Sequence, residues 1–69
     1  MPSTAIRDCY YDAGRSRLIV TFVTGRSYMY EDVPPSVVAD FDSARSKGQF
    51  FNAYIRDHYR YREVTPAHE

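Results

Sequence analysis

Residues 17–31 read RLIVTFVTGRSYMYE, and the fold turns on how this stretch doubles back. Leu18, Val20 and Phe22 alternate with Ile19, Thr21 and Val23, the period-two pattern of a strand with one covered face. Thr24-Gly25 breaks the pattern and Ser27 to Glu31 runs back, so the stretch reads as an antiparallel hairpin. Loop length decides where Tyr28 and Tyr30 point. A two-residue loop, Thr24-Gly25, pairs Thr21 with Tyr28 and Ile19 with Tyr30, and both rings join the open face. A three-residue loop, Thr24-Gly25-Arg26, pairs Phe22 with Tyr28 and Val20 with Tyr30, and both rings enter the core. A slip of one residue moves every side chain to the other face, and both loop lengths are common. The core placement is favoured, because large rings are the main apolar mass available to so short a chain.

Working outward, Ile6 to Tyr11 (IRDCYY) reads as a preceding strand closed by Asp12-Ala13-Gly14. Downstream, Val33-Pro34-Pro35 ends the sheet, since proline cannot donate to a ladder but suits a first helical turn. Pro35 to Ser43 is then a short helix with Val37, Val38 and Phe41 on one stripe. Ser46-Lys47-Gly48-Gln49 fits the S-x-x-Q capping box. The helix it opens runs to about Ile55 or His58, with Phe51, Tyr54, Ile55 and His58 at helical spacing. Tyr59 to Val64 is extended or irregular, an extra C-terminal edge strand being one reading of it, and Thr65 to Glu69 is frayed. The expected fold is α+β: a three-stranded antiparallel meander followed by two short helices packed on one face. It forms a single domain over 1–69 with its core at about 3–64. The uncovered face would carry Tyr10, Ile19, Thr21 and Val23.

The chain has 69 residues, 43% hydrophobic and 16% aromatic, a globule's composition and not a disordered tail's. Cys9 is the only cysteine, so no internal disulfide forms, and a reducing, cytoplasmic setting is expected. The start Met1-Pro2-Ser3-Thr4 is neither basic nor apolar, and no run approaches the ~20 residues that span a membrane. Net charge is zero, yet charge is unevenly placed. Between 45 and 62 stand Arg45, Lys47, Arg56, Arg60 and Arg62 against Asp57 alone. The first 44 residues carry an acidic excess.

No catalytic constellation is visible. Cys9 has no histidine partner in sequence and sits in a strand as a small hydrophobe. His58 reads as a core or helix-end histidine, and Asp40 and Asp42 as a solvated helix face. There is no HExxH, GxSxG, P-loop or paired-cysteine pattern. The expectation is a non-enzyme with no metal and no cofactor. Two features could bind an anion. Free amides at Ser46-Lys47-Gly48, with Arg45 beside them, resemble an anion-binding helix start, although capping alone also explains that sequence. The tail Arg56, Tyr59, Arg60, Tyr61 and Arg62 interleaves cations and rings, the pattern that holds single-stranded nucleic acid. The same tail could instead pack over the sheet with its arginines reaching water. Asn52 and Arg56, four apart, could share a ligand or bond a neighbouring loop.

The order Ser3-Thr4-x-Ile6, Tyr11-Asp12, Leu18-x-Val20-x-Phe22-x-x-Gly25 and Tyr28-x-Tyr30-x-Asp32-Val33-Pro34 continues into Ser46-x-Gly48-x-x-Phe51-Asn52-x-x-Ile55-Arg56-x-x-Tyr59-x-Tyr61-x-x-Val64. Together these resemble the KTSC domain over about residues 3 to 64. That family is a short domain at the C-terminus of some lysyl-tRNA synthetases and in free-standing small bacterial proteins. It has no established activity, and RNA binding is the usual suggestion. Its central Tyr-x-Tyr falls on Tyr28 and Tyr30, candidate stacking residues. The family often has Arg where Gln49 stands and Pro where Arg60 stands.

Charge, rings and resemblance point to a non-catalytic module that binds RNA or tRNA weakly. The residues expected to carry it are Arg45, Ser46, Lys47, Gly48, Asn52, Arg56, Tyr59, Arg60, Tyr61 and Arg62. Three to four phosphate contacts to a single strand imply a log-affinity against log-salt slope of roughly −2 to −3. The alternative is a protein-interaction or homodimerisation module using the open sheet face. Three short strands offer only about 300 Å² there, against roughly 800 Å² per partner in a stable interface.

Overall fold

Gly25 fixes the hairpin. In the computed structural model, which describes residues 6–64, its φ is +94°, a left-handed value that glycine adopts without steric cost. The Gly25 amide donates to the Phe22 carbonyl at 2.8 Å, and the Phe22 amide to the Arg26 carbonyl at 2.9 Å. The loop is therefore Val23-Thr24-Gly25, with glycine third, where a three-residue hairpin loop needs the left-handed conformation. A loop of 24–26 would have put Arg26 there. The pairing is Leu18 with Tyr30 and Val20 with Tyr28. That corrects the expected register by two residues. A shift of two preserves the face, so both tyrosines still share a side with Leu18 and Val20.

The elements are β1 (Ile6–Asp12), β2 (Arg17–Phe22), β3 (Ser27–Tyr30), α1 (Pro35–Ser43), α2 (Lys47–Phe50) with a π-helical turn (Phe51–Ile55), and β4 (Tyr61–Val64). The tail does form an edge strand. The sheet is antiparallel with order β1-β2-β3-β4, and both helices pack on one face. On that face Tyr11, Leu18, Tyr30 and Tyr61 form one cross-strand row, and Cys9, Val20, Tyr28 and Glu63 the next. The opposite face carries the row Tyr10, Ile19, Met29 and Arg62. Val23, expected on that face, lies in the loop.

Leu18, Val20, Tyr30, Val33, Phe41, Phe51 and Ile55 form the buried cluster. The Tyr11 hydroxyl ties β1 to the start of the helical segment by donating to the Val33 carbonyl at 2.7 Å. Ser46 caps α2, its Oγ accepting from the Gln49 amide at 3.3 Å.

Beyond Phe50 the helix departs from the expected stripe. The Arg56 amide reaches the Phe51 carbonyl, five residues back, at 2.8 Å. This widened turn rotates Tyr54 off the core face, where it is 59% exposed. Phe50 takes its place, packing on Phe41 with ring centroids 5.8 Å apart. His58 is exposed too, its Nε2 lying 3.0 Å from the Ala53 carbonyl oxygen. It is a helix-end residue and not part of the apolar stripe. The expected fraying at Thr65 to Glu69 lies outside the described residues, as do Ser3 and Thr4.

Candidate functional site

The hairpin register puts Phe22, Tyr28 and Tyr30 on the helix-covered face, and the helix delivers Phe51 onto them. β4 brings Tyr61 alongside. These five rings close a circuit. Phe22 lies 5.7 Å from Tyr28, Tyr28 5.9 Å from Tyr61, and Tyr61 5.2 Å from Tyr30. Tyr30 lies 5.3 Å from Phe51, and Phe51 5.4 Å from Phe22. Four of the contacts are tilted or edge-on, and Tyr30 with Tyr61 is stacked at 27°. Edge-on and offset pairs are the arrangements that ring quadrupoles favour.

The rings line a groove of ≈ 380 Å³ that also touches Arg26 from the hairpin and Arg56 from the π turn. The π turn matters for Arg56. In an α-helix a residue five positions on lies about 140° around the axis. Closing the turn over five residues brings Arg56 back toward the side of Phe51. Its Nη1 donates to Asn52 Oδ1 at 3.4 Å. Arg26 has two partners. The Tyr28 hydroxyl, as hydrogen-bond partner, and then the Glu63 carboxylate hold its pKa above the ordinary arginine value. Glu63 Oε1 stands 4.0 Å from Arg26 Nη1. Tyr30 is 3% exposed, and burial pushes its hydroxyl up to about 12, with the Tyr61 and Tyr28 phenols adding and Arg56 opposing.

The sequence-derived site residues fall into separate groups. Tyr28, Tyr30, Tyr61 and Arg56 meet at the groove, with Asn52 beside Arg56. Arg45, Ser46, Lys47 and Gly48 lie at the far end of the helix. Lys47 Nζ donates to the Asp42 carbonyl at 3.2 Å. Lys47 and Asp42 both act on Cys9 in the opposite edge strand, three strand spacings, or roughly 14 Å, from β4. Tyr59 is half-buried against the core. Arg60 is exposed and its carbonyl accepts from the Glu31 amide at 2.9 Å. Arg62 projects from the other face of the sheet. Cys9 is partly buried, and burial, then Asp8 and Asp42, push its thiol up. A thiol held protonated is a poor nucleophile. Among the described residues no three His, Cys, Asp or Glu side chains gather as a metal site.

Phe22, Phe51 and Arg26 were missed as site residues. Phe22 was legible through the hairpin, since it shares the face of Tyr28. Arg26 sits in the acidic half of the chain, where a tally of charge conceals it.

The KTSC domain model matches residues 2–61. The chain belongs to the KTSC domain family. A solved KTSC domain protein from Yersinia pestis superposes with a TM-score of 0.85 at 31% identity, covering 93% of this chain and 90% of that one. A small protein of Stutzerimonas stutzeri is 40% identical over 62 residues, 88% of this chain and 87% of its own length. A lysine–tRNA ligase of Nostoc punctiforme is 36% identical over 90% of this chain. This chain spans only 11% of that ligase, so the KTSC domain occurs both as a stand-alone small protein and as a minor part of a large one. The KTSC fold is α+β, and no helix of the described residues is long and apolar enough to cross a membrane.

Proposed function

We propose that this KTSC domain is a non-catalytic module that binds RNA through the ring-lined groove. The observation that carries the reading is the closed circuit of five rings flanked by Arg26 and Arg56. Rings supply stacking surface for a base, and guanidinium groups supply planar, charge-assisted contacts to phosphate. A cage of rings alone would suit a cation, but two arginines at its border repel one. The occurrence of the domain in lysine–tRNA ligases places relatives of this chain in proteins named for tRNA, and makes tRNA the first RNA to test. Arg45, Lys47, Arg60 and Arg62 do not line the groove and add diffuse attraction only.

Two phosphate contacts to a single strand predict a log-affinity against log-salt slope of about −1.4. That is shallower than counting every basic residue between 45 and 62 would give. Titration of the chain with tRNA and with single-stranded RNA at low salt tests this. Weak, salt-dependent binding that perturbs Tyr61 and Arg56 supports the reading. No binding at high micromolar concentration, or binding without a salt slope, overturns it. The open sheet face is a poorer candidate for a partner, because Met29 and Ser27 are already buried there and leave Tyr10 as its large exposed apolar residue.

A further inference from the structure

We infer that the groove recognises one unpaired nucleotide, a single base carrying a phosphate, and not a run of bases. This rests on the RNA-binding reading and narrows its ligand. The first argument is ring exposure. Tyr30 and Phe51 are 3% and 2% exposed, whereas Tyr61 is 56% exposed. Phe22 and Tyr28 are half-buried in the circuit. Four rings therefore spend their surface on one another, and Tyr61 alone presents a broad platform. Binding along a strand needs successive platforms, one per stacked base. The other strongly exposed rings do not continue the row. Tyr54 packs on Phe50 at 4.8 Å within the helical segment and does not line the groove, and Tyr10 lies on the opposite face of the sheet.

The second argument is volume. A groove of ≈ 380 Å³ lies at the low end of small-molecule sites, which run from about 300 to 1,000 Å³. It suits a group of one nucleotide's size. The third is the closure of the circuit. With neighbouring rings already in contact, the wall has no slot through which further bases could intercalate. Arg26 and Arg56 border the same groove, so the phosphate of that nucleotide has a guanidinium within the site. A base inside a duplex is stacked on both faces and cannot present one to Tyr61, and the end pair of a blunt duplex offers only its outer face. The chemistry is shared by a free nucleotide and by an unpaired residue at an RNA end or bulge.

The test titrates the full chain, followed by amide NMR, with four probes. They are adenosine 5′-monophosphate, a blunt RNA duplex, the same duplex with one unpaired 3′ nucleotide, and the duplex with a longer 3′ tail. The expected result is that the mononucleotide shifts the Tyr61 and Arg56 amides. The single overhang then binds about tenfold more tightly than the blunt duplex, the contribution of one stacked base, and the longer tail adds less than about threefold. Arg56→Gln should weaken every probe while leaving the spectrum folded. If affinity climbs with each added unpaired nucleotide, the single-nucleotide inference fails and RNA binding stands. If the mononucleotide alone binds and the overhang adds nothing, the unit is right and its source is a free nucleotide, which overturns the RNA reading. If no probe moves the groove, both fall.

Discussion

The ring of Tyr61 stacks on that of Tyr30, centroids 5.2 Å apart and planes 27° apart. The two residues face each other across the β3–β4 ladder, yet two helices separate them in the chain. This contact joins the last strand to the core and forms the outer wall of the groove. Replacing Tyr61 by Ala should cost about 1 kcal/mol of stability beyond lost area, the usual worth of an aromatic pair. Tyr61→Phe should keep the stack and most of that stability. Urea unfolding of the three chains decides this, and equal midpoints for Tyr61→Ala and the parent would show that the stack contributes nothing.

Glu63 competes for Arg26. The pair is solvated, with both side chains more than half exposed, so it contributes little to folding. An incoming phosphate must nonetheless draw Arg26 away from Glu63. Glu63→Gln should leave the unfolding midpoint in place and raise RNA affinity about threefold at low salt, the difference fading as salt screens both attractions. Unchanged affinity at low salt would remove Arg26 from the binding site.

Tyr30 should make stability fall at alkaline pH. Its hydroxyl is pushed up to about 12, by burial first and then by the Tyr61 and Tyr28 phenols, whereas an unfolded tyrosine titrates near ~10. Between those values the folded chain keeps a proton that the unfolded chain has released. The Tyr30 contribution is therefore complete below about pH 10 and is lost as pH rises through the window to about 12. Tyr30→Phe should flatten that part of the alkaline slope in urea midpoints measured against pH. Parallel slopes for the two chains would contradict the burial of the hydroxyl.

Ser46 should matter to stability and not to ligand. Its Oγ accepts from the Gln49 amide, and loss of such a cap costs about 1 kcal/mol. Ser46→Ala should lower the urea midpoint accordingly and leave RNA affinity unchanged, because the cap lies at the far end of the helix from Arg56. A loss of affinity equal to that of Arg56→Gln would mean that the helix start touches the ligand.

Much of this architecture could be read in advance because its causes are local. Pro34-Pro35 sets the start of α1, and the observed bounds Pro35–Ser43 are those expected. Ser46 and Gln49 set the next helix start. Hairpin parity was left open between two loop lengths; the favoured core placement of Tyr28 and Tyr30 holds, through a register two residues from the expected one. The third loop position requires φ above zero, and Gly25, at +94°, is the residue that supplies it. Phase was lost after Phe50 for a different reason. A 3.6-residue period was carried through a segment whose backbone closes over five, and nothing in FNAYI marks the change.

The sequence by itself determined the strand segments, the helix starts and, through the order of its motifs, the family, because alternation, proline placement and capping act between neighbours along the chain. The tertiary structure alone decided that Arg56 and Tyr61 join the groove while Lys47 and Arg62 do not. It also supplied Phe22, Phe51 and Arg26. Those outcomes depend on contacts between residues far apart in sequence, Phe22 with Phe51 and Tyr30 with Tyr61. They depend too on a one-residue widening of a helix, which turns side chains by an angle that composition and spacing do not record.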